Sequence, residues 1–255
     1  MKPWKLLETN YHYVKSHPYE VVVLPVGATE PHNLHLPYGS DAITTERVGD
    51  LICERAHALG AKVALLPGLP FGVDSNLMGF PMTVSLDPST LDRVIGDVIH
   101  SMESHGIRKM VLLNGHGGNN LKNTLREYFG KTGMFLSLVE WWKVAADRYA
   151  EIIEHRNGDH ADEMETSVVM YLFPELVDLS LADDGAVKDS RFEAINRGWA
   201  QVTRPWHIVT TNAGVGYPKK ATPEKGKQII DIVVERIGQY LKELSDAEMD
   251  DTFPY

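Results

Sequence analysis

Glu20-Val21-Val22-Val23-Leu24-Pro25-Val26, closed by Gly27, is a short apolar run rich in β-branched residues. Such a run, too short for a buried helix and without polar alternation, predicts a strand covered on both faces that ends in a functional loop. Lys62-Val63-Ala64-Leu65-Leu66 and Lys109-Met110-Val111-Leu112-Leu113 have the same character, and Met134-Phe135-Leu136-Ser137-Leu138-Val139 supplies a fourth candidate.

Between these runs the period changes. From Thr45 to Leu59, Val48, Ile52, Ala56 and Leu59 recur at near-helical spacing, and Gly60 suits the position just past the end. Ser89 is a candidate cap for a helix with Leu91, Val94, Ile95, Val98, Ile99 and Met102 on one side, ending at Gly106. Further helices are predicted over Leu121 to Phe129 and Met164 to Leu172, and a last one capped by Thr222 with Pro223 in its first turn. The pattern is weak from Leu181 to Asn212. This alternation predicts an α/β fold with parallel strands joined by right-handed helical crossovers. In open sheets of that kind ligands bind beyond the carboxyl ends of the strands, so chemistry is expected after Val26, Leu66, Leu113 and Val139.

The 255 residues suffice for one core, and a single domain over residues 1–255 is expected. A 43% hydrophobic, 24% charged composition excludes a disordered chain. With 35 acidic against 25 basic residues the net charge is −10, which repels a phosphate backbone, so no nucleic-acid partner is expected. The first residues lack the apolar run of a signal peptide, and no stretch approaches a membrane span, so a cytoplasmic protein without a membrane partner is expected. The single cysteine, Cys53, falls within a predicted amphipathic helix and reads as core packing.

Three polar segments follow predicted strands or open predicted helices. Gly27-Ala28-Thr29-Glu30-Pro31-His32-Asn33-Leu34-His35-Leu36-Pro37-Tyr38-Gly39-Ser40-Asp41 brings carboxylates and imidazoles onto one irregular loop. An oxygen and nitrogen donor set without thiolates suits zinc, manganese or ferrous iron in a reactive centre. Glu30 and His32, two apart, face one point if the chain is locally extended. A loop whose carboxylates cap the next helix and whose histidines hydrogen-bond locally is the competing account. Asn114-Gly115-His116-Gly117-Gly118-Asn119-Asn120 surrounds His116 with glycines, as a tight turn close to a ligand requires. It lacks the Lys-Ser/Thr ending of a Walker loop and the spacing of a dinucleotide loop. Gly158-Asp159-His160-Ala161-Asp162-Glu163-Met164-Glu165-Thr166-Ser167 opens a helix with acids that the helix macrodipole alone would favour.

Taken in order, Leu24 to His32, His35-Leu36-Pro37, Asp41, Phe80-Pro81-Met82-Thr83, Asn114 to Asn119, His160 to Ser167 and Thr222-Pro223-Glu224-Lys225-Gly226 resemble the motifs of the creatininase (creatinine amidohydrolase) family. The resemblance implies a three-layer α/β/α sandwich with a mostly parallel sheet and a dinuclear centre, with two divalent ions, Zn2+ and/or Mn2+ or alternatively Fe2+. It further implies a homo-oligomer, a hexamer in this family, acting on a small-molecule amide. By position, Glu30, His32, Asp41 and His116 match metal ligands, with Asp41 bridging. Creatininase takes another carboxylate two residues after the histidine matching His116; Gly118 stands there, and Glu165 is the candidate to replace it. His160 matches a histidine at the substrate and is the candidate proton donor to the leaving nitrogen, while His35 is expected to orient the loop.

The implied reaction is hydrolysis of a C–N bond, other than an ordinary peptide bond, in a small cyclic amide or formamide by a hydroxide bridging the two ions, with His160 and Glu165 at the reacting end. A peptidase-like maturation enzyme and a catalytically idle metal- or metabolite-binding member are the alternatives. Ser75-Asn76-Leu77-Met78-Gly79-Phe80-Pro81-Met82-Thr83 departs from the family's Ser-x-x-His-x-x-Phe-Pro-Gly-Thr stretch, which argues for a changed pocket wall and against creatinine itself. Trp141 and Trp142 follow a strand end and either line that pocket or pack in the core.

Overall fold

The computed structural model describes residues 1–155 and 157–255. Four strands, β1 (Val21–Val26), β2 (Val63–Leu65), β3 (Lys109–Asn114) and β4 (Phe135–Glu140), form a parallel sheet in the order β2-β1-β3-β4. Val26 is level with Asn114, and Asn114 with Glu140, so the loops leaving β1, β3 and β4 start at the same height. The main helices are α1 (Ser40–Ala58), α2 (Pro88–Ser104), α3 (Lys122–Tyr128), α4 (Glu163–Leu172) and α5 (Pro223–Asp246).

Strand side chains alternate between two faces, and both are covered. Val21, Val23, Val63, Leu65, Val111 and Leu113 pack on Val48 and Ile52 of α1, Val168 of α4 and Ile229, Ile230 and Val233 of α5. Val22, Leu24, Val26, Met110 and Leu112 pack on the other side against Leu91, Ile95 and Ile99 of α2, with Leu125 and Tyr128 of α3 at the margin. Two cores separated by one sheet make a three-layer α/β/α sandwich, the architecture expected. Among the described residues no helix is long and apolar enough to cross a membrane.

The chain goes from β1 through α1 to β2 on one side of β1, then returns through α2 to β3 on its other side. The loop after β1 therefore turns toward the face covered by α1, and the loop after β3 toward the face covered by α3. Their divergence opens a crevice between the carboxyl ends of β1 and β3, the switch point where open α/β sheets bind ligands.

Differences from the expected boundaries have physical causes. α1 begins at Ser40, a turn ahead of its apolar periodicity, because its first turn buries polar Ser40 and Asp41. Ser89 is not the cap of α2; Asp87 occupies that position with Pro88 in the first turn, where a missing N–H is harmless. Thr222 caps α5 as expected, accepting from the Lys225 backbone N–H at 3.3 Å. The weakly patterned stretch from 181 to 212 holds only short turns, including Glu193–Asn196 and Trp206–Val209. It is pinned by side chains: Asn33 and Asn212 donate to Asp183 at 2.6 and 2.8 Å.

Two substitutions test this packing. A Cβ on Gly226 would fall 1.9 Å from the Ser167 carbonyl oxygen, so α5 crosses α4 too closely for any side chain there. Gly226→Ala is expected to lower unfolding free energy in urea by about 1–3 kcal/mol; an unchanged midpoint would mean that the helices are not in such contact. Met82 holds φ at 61° while 81% exposed, a left-handed conformation with little packing to offset it. Met82→Gly is expected to stabilise the chain by about 1 kcal/mol, read as a raised melting temperature.

Candidate metal centre

The loop after β1 is folded back on itself. Gly27 lies where a Cβ would be 2.5 Å from the Ala42 Cα, so the chain leaves β1 pressed against α1. The Glu30 N–H donates to the Tyr38 carbonyl at 3.0 Å, His32 and Leu36 bridge across the turn, and Asn33 takes φ 55°. This closure brings Glu30 and His32 beside Asp41 in the first turn of α1. His32 Nε2 lies 3.1 Å from Asp41 Oδ1 and 3.9 Å from Glu30 Oε1. Its other nitrogen, Nδ1, donates to the Glu30 backbone carbonyl at 3.0 Å.

His116 reaches the same point from the loop after β3. Gly115 is required because its Cβ would meet Thr45 Oγ1 of α1 at 1.5 Å. Buried Asn114 brackets the loop, donating to the His116 carbonyl at 2.9 Å and accepting from the His116 N–H at 3.2 Å. Asn119 ties three loops together: it donates to the Gly27 carbonyl and accepts from the Val73 N–H, at 3.1 and 3.0 Å. As a result His116 Nδ1 stands 2.8 Å from Asp41 Oδ2 and 3.1 Å from Glu30 Oε1. The two oxygens of Asp41 thus face two different imidazoles.

The segment opening α4 completes the cluster. Asp162 caps the helix by accepting from the Glu165 N–H at 3.0 Å, and Glu165 Oε2 accepts from the Ala161 N–H at 2.6 Å. Glu165 Oε1 is left 3.4 Å from His32 Nε2. His160 Nε2 donates to the Pro31 carbonyl at 2.8 Å, and its ring packs 4.2 Å from His32 and 4.9 Å from Trp206. Glu163 is turned away, buried in an ion pair with Lys225 at 2.6 Å and accepting from the backbone of Glu154 and His155. His35 Nε2 is hydrogen-bonded to Thr166 Oγ1 at 2.8 Å, an orienting position.

Every expected site residue is therefore in one crevice, and one more belongs there. Asp74, in the loop after β2, is fully buried with Oδ1 2.9 Å from His116 Nε2. The sequence carried a usable signal for it: an acid in an otherwise apolar, Pro/Gly-rich stretch following a strand end. Arg204 and Trp206 were also missed, since no periodicity marks their segment. The Arg204 guanidinium lies 4.5 Å over the Trp206 ring and pairs with Asp159 at 2.9 Å. Both line a cavity of about 750 Å³ that opens onto Glu30, Asp41, His116 and Glu165, with Trp141, Trp142 and Tyr149 on the far wall. Trp141 serves both expected roles, being buried in the core and lining the cavity.

Burial and charge oppose one another across the cluster. Burial pushes the Glu30 carboxyl up to about 8 against the pull of His116. Burial would also raise Asp41, but His32 and His116 outweigh it and hold that carboxyl well below the usual range. For His32 and His116 burial works downward, yet Glu165 and Asp41 in one case, and Glu30, Asp41 and Asp74 in the other, raise both. For His160, burial and then His32 outweigh the pull of Glu165 and Asp41 and lower it to about 4, leaving a neutral ring at neutral pH.

Both oxygens of Glu30 and both of Asp74 are buried without a hydrogen-bond partner among the described residues. Carboxylates in that state are costly unless a positive charge compensates them. Three groups, Glu30-His32-His160, Glu30-Asp74-His116 and His32-Asp41-Glu165, each bring ligand atoms within 4.8 Å of one another. Oxygen and imidazole donors at such spacing fit divalent zinc or manganese.

The family model described as creatinine amidohydrolase matches residues 8–241. The creatinine amidohydrolase of Pseudomonas putida is 29% identical over 243 residues, covering 88% of this chain and 89% of that protein. A mycofactocin precursor peptide peptidase of Mycobacterium ulcerans is 25% identical, covering 86% and 85%. The crystal structure of a Bacteroides fragilis protein assigned as a creatinine amidohydrolase superposes with TM-score 0.89 at 34% identity, covering 98% and 100%. A mutant creatininase of Zn-Zn type aligns at TM-score 0.80 and 25% identity over 97% and 100%, and a manganese creatininase at 0.74 and 26% over 96% and 99%. With its motifs, its sandwich and its buried carboxylate-imidazole cluster in agreement, the chain belongs to the creatininase family of hydrolases.

Proposed function

We propose that the chain is an amidohydrolase that cleaves a C–N bond in a small cyclic amide or formamide at a centre of two divalent ions, zinc or manganese. The observation that carries this reading is the division of Asp41: one oxygen 3.1 Å from His32, the other 2.8 Å from His116. A carboxylate so shared is suited to bridging, with Glu30 and His116 serving one ion and His32 and Glu165 the other. When bound, the ions polarise a carbonyl oxygen and make water a nucleophile near neutral pH.

The chain's own residues do the rest. Glu165, fixed by the Ala161 N–H, supplies the carboxylate that Gly118 cannot. His160 starts neutral, with the Nε2 proton committed to Pro31, so its Nδ1 lone pair is the free end and lies 3.7 Å from Glu30 Oε1. That end is suited to accept a proton from attacking water and pass it to the departing nitrogen. The tryptophan-lined wall excludes water from a planar substrate and offers it ring faces.

A short peptide end is the second reading. The peptidase relative favours it, and a cavity of about 750 Å³ has room for more than a single small ring. Metal-loaded protein assayed against creatinine, hydantoin-type rings, formamides and short peptides separates these cases. Hydrolysis of a ring or formamide is expected, peptide cleavage alone would select the second reading, and inertness toward all four would remove both.

Two variants probe the assignments. Asp41→Ala is expected to lose both ions by elemental analysis and to reduce turnover to background; retention of both ions at full rate would rule out the bridge. His160→Gln is expected to keep both ions while kcat falls by about 10²–10⁴-fold, and an unchanged kcat would remove His160 from proton transfer.

A further inference from the structure

Asp74 is the one carboxylate of the centre for which the division between two ions leaves no place. It is held from several directions: its N–H donates to Ser85 Oγ at 2.9 Å, and the neighbouring Val73 N–H donates to Asn119 Oδ1 at 3.0 Å. Its side chain is fully buried and, among the described residues, has no hydrogen-bond partner; the nitrogen 2.9 Å away is His116 Nε2. The opposite nitrogen of that ring, Nδ1, is the one facing Asp41 and Glu30.

An imidazole that gives one nitrogen to a metal carries a proton on the other, and an outer carboxylate facing that N–H fixes the ring and raises its basicity. The surroundings of Nε2 suit this arrangement. The Val73 carbonyl is hydrogen-bonded to it at 3.2 Å, and Asp74 Oδ1 lies 2.9 Å from the same nitrogen, so a carbonyl acceptor and a carboxylate flank that position. Residue 118 cannot intrude, because a Cβ there would fall 2.3 Å from Nε2 and 2.4 Å from the Val73 carbonyl. His32 is treated differently. Its outer nitrogen donates to the neutral Glu30 backbone carbonyl at 3.0 Å.

We propose that Asp74 is the positioning residue of His116, locking the tautomer that presents Nδ1 to the ion shared with Glu30 and Asp41 and making that half of the centre the tighter one. The proposal rests on the two-ion reading above. It concerns a residue that touches neither ion nor substrate in this arrangement, and it makes the two half-sites unequal by an outer charge.

Zinc-loaded protein with 15N-labelled histidine provides the first test. The His116 resonances are expected to show a metal-bound Nδ1 and a protonated Nε2; a metal-bound Nε2 would overturn the proposal. The second test is stepwise zinc removal by a chromophoric chelator. Asp74→Ala is expected to weaken one ion by about 10–100-fold and leave the other unchanged. Asp74→Asn, which keeps an acceptor oxygen, is expected to recover part of that loss. Equal weakening of both ions, or wild-type affinity in both variants, would overturn the role. If Asp74→Ala fails to fold, Asp74→Asn and the wild-type tautomer decide the matter. Wild-type protein that takes up no zinc would instead defeat the two-ion reading itself.

Discussion

Asp41 stands at the first turn of α1, buried, with each carboxylate oxygen turned toward a different histidine. Its geometry depends on everything around it. α1 must start against Gly27, the loop after β1 must fold back to seat Glu30 and His32, and the loop after β3 must pass Thr45 closely enough that residue 115 has no side chain. Removing any of these constraints would separate the two imidazoles that one carboxylate now joins.

The sheet sets these constraints because β1 and β3 end at the same level while their connections part to opposite faces. A crevice at that place is a consequence of strand order. Burial then does the electrostatic work. Carboxylates that would be ionised and hydrated at the surface are here buried against imidazoles, where an unpaired charge is costly and a positive partner is favoured. The same buried setting, with His32 beside it, lowers His160 against the pull of Glu165 and Asp41. One pocket thus gathers carboxylates and imidazoles at a spacing that could hold cations.

The rest of the cavity is built from different material. Arg204 and Trp206 come from a stretch with no long helix or strand, anchored by Asp183 and packed against His160. Trp141 and Trp142 follow β4 directly and meet edge to face at 6.4 Å. The cavity lining thus comes partly from chain that follows sheet ends and partly from the irregular stretch around Arg204 and Trp206, where substitutions change shape with less disturbance to the core.

Local chemistry legible along the chain determined the class of fold and most of the centre. Short apolar runs rich in β-branched residues predict strands covered on both sides, helical periodicity between them predicts the parallel arrangement, and Glu30, His32 and His116 stand in loops, with Asp41 opening a helix, that such a sheet gathers at one edge. What the sequence could not supply was pairing across distance. The Pro/Gly-rich stretch before Asp74 marks a loop but not its partner His116, Glu163 and Glu165 are two residues apart with opposite fates, and Trp206 belongs to a segment without periodicity. Each was decided by which groups the packed layers brought within about 3–5 Å, because burial and the partner's charge, rather than residue type, determine what an acid or an aromatic ring does.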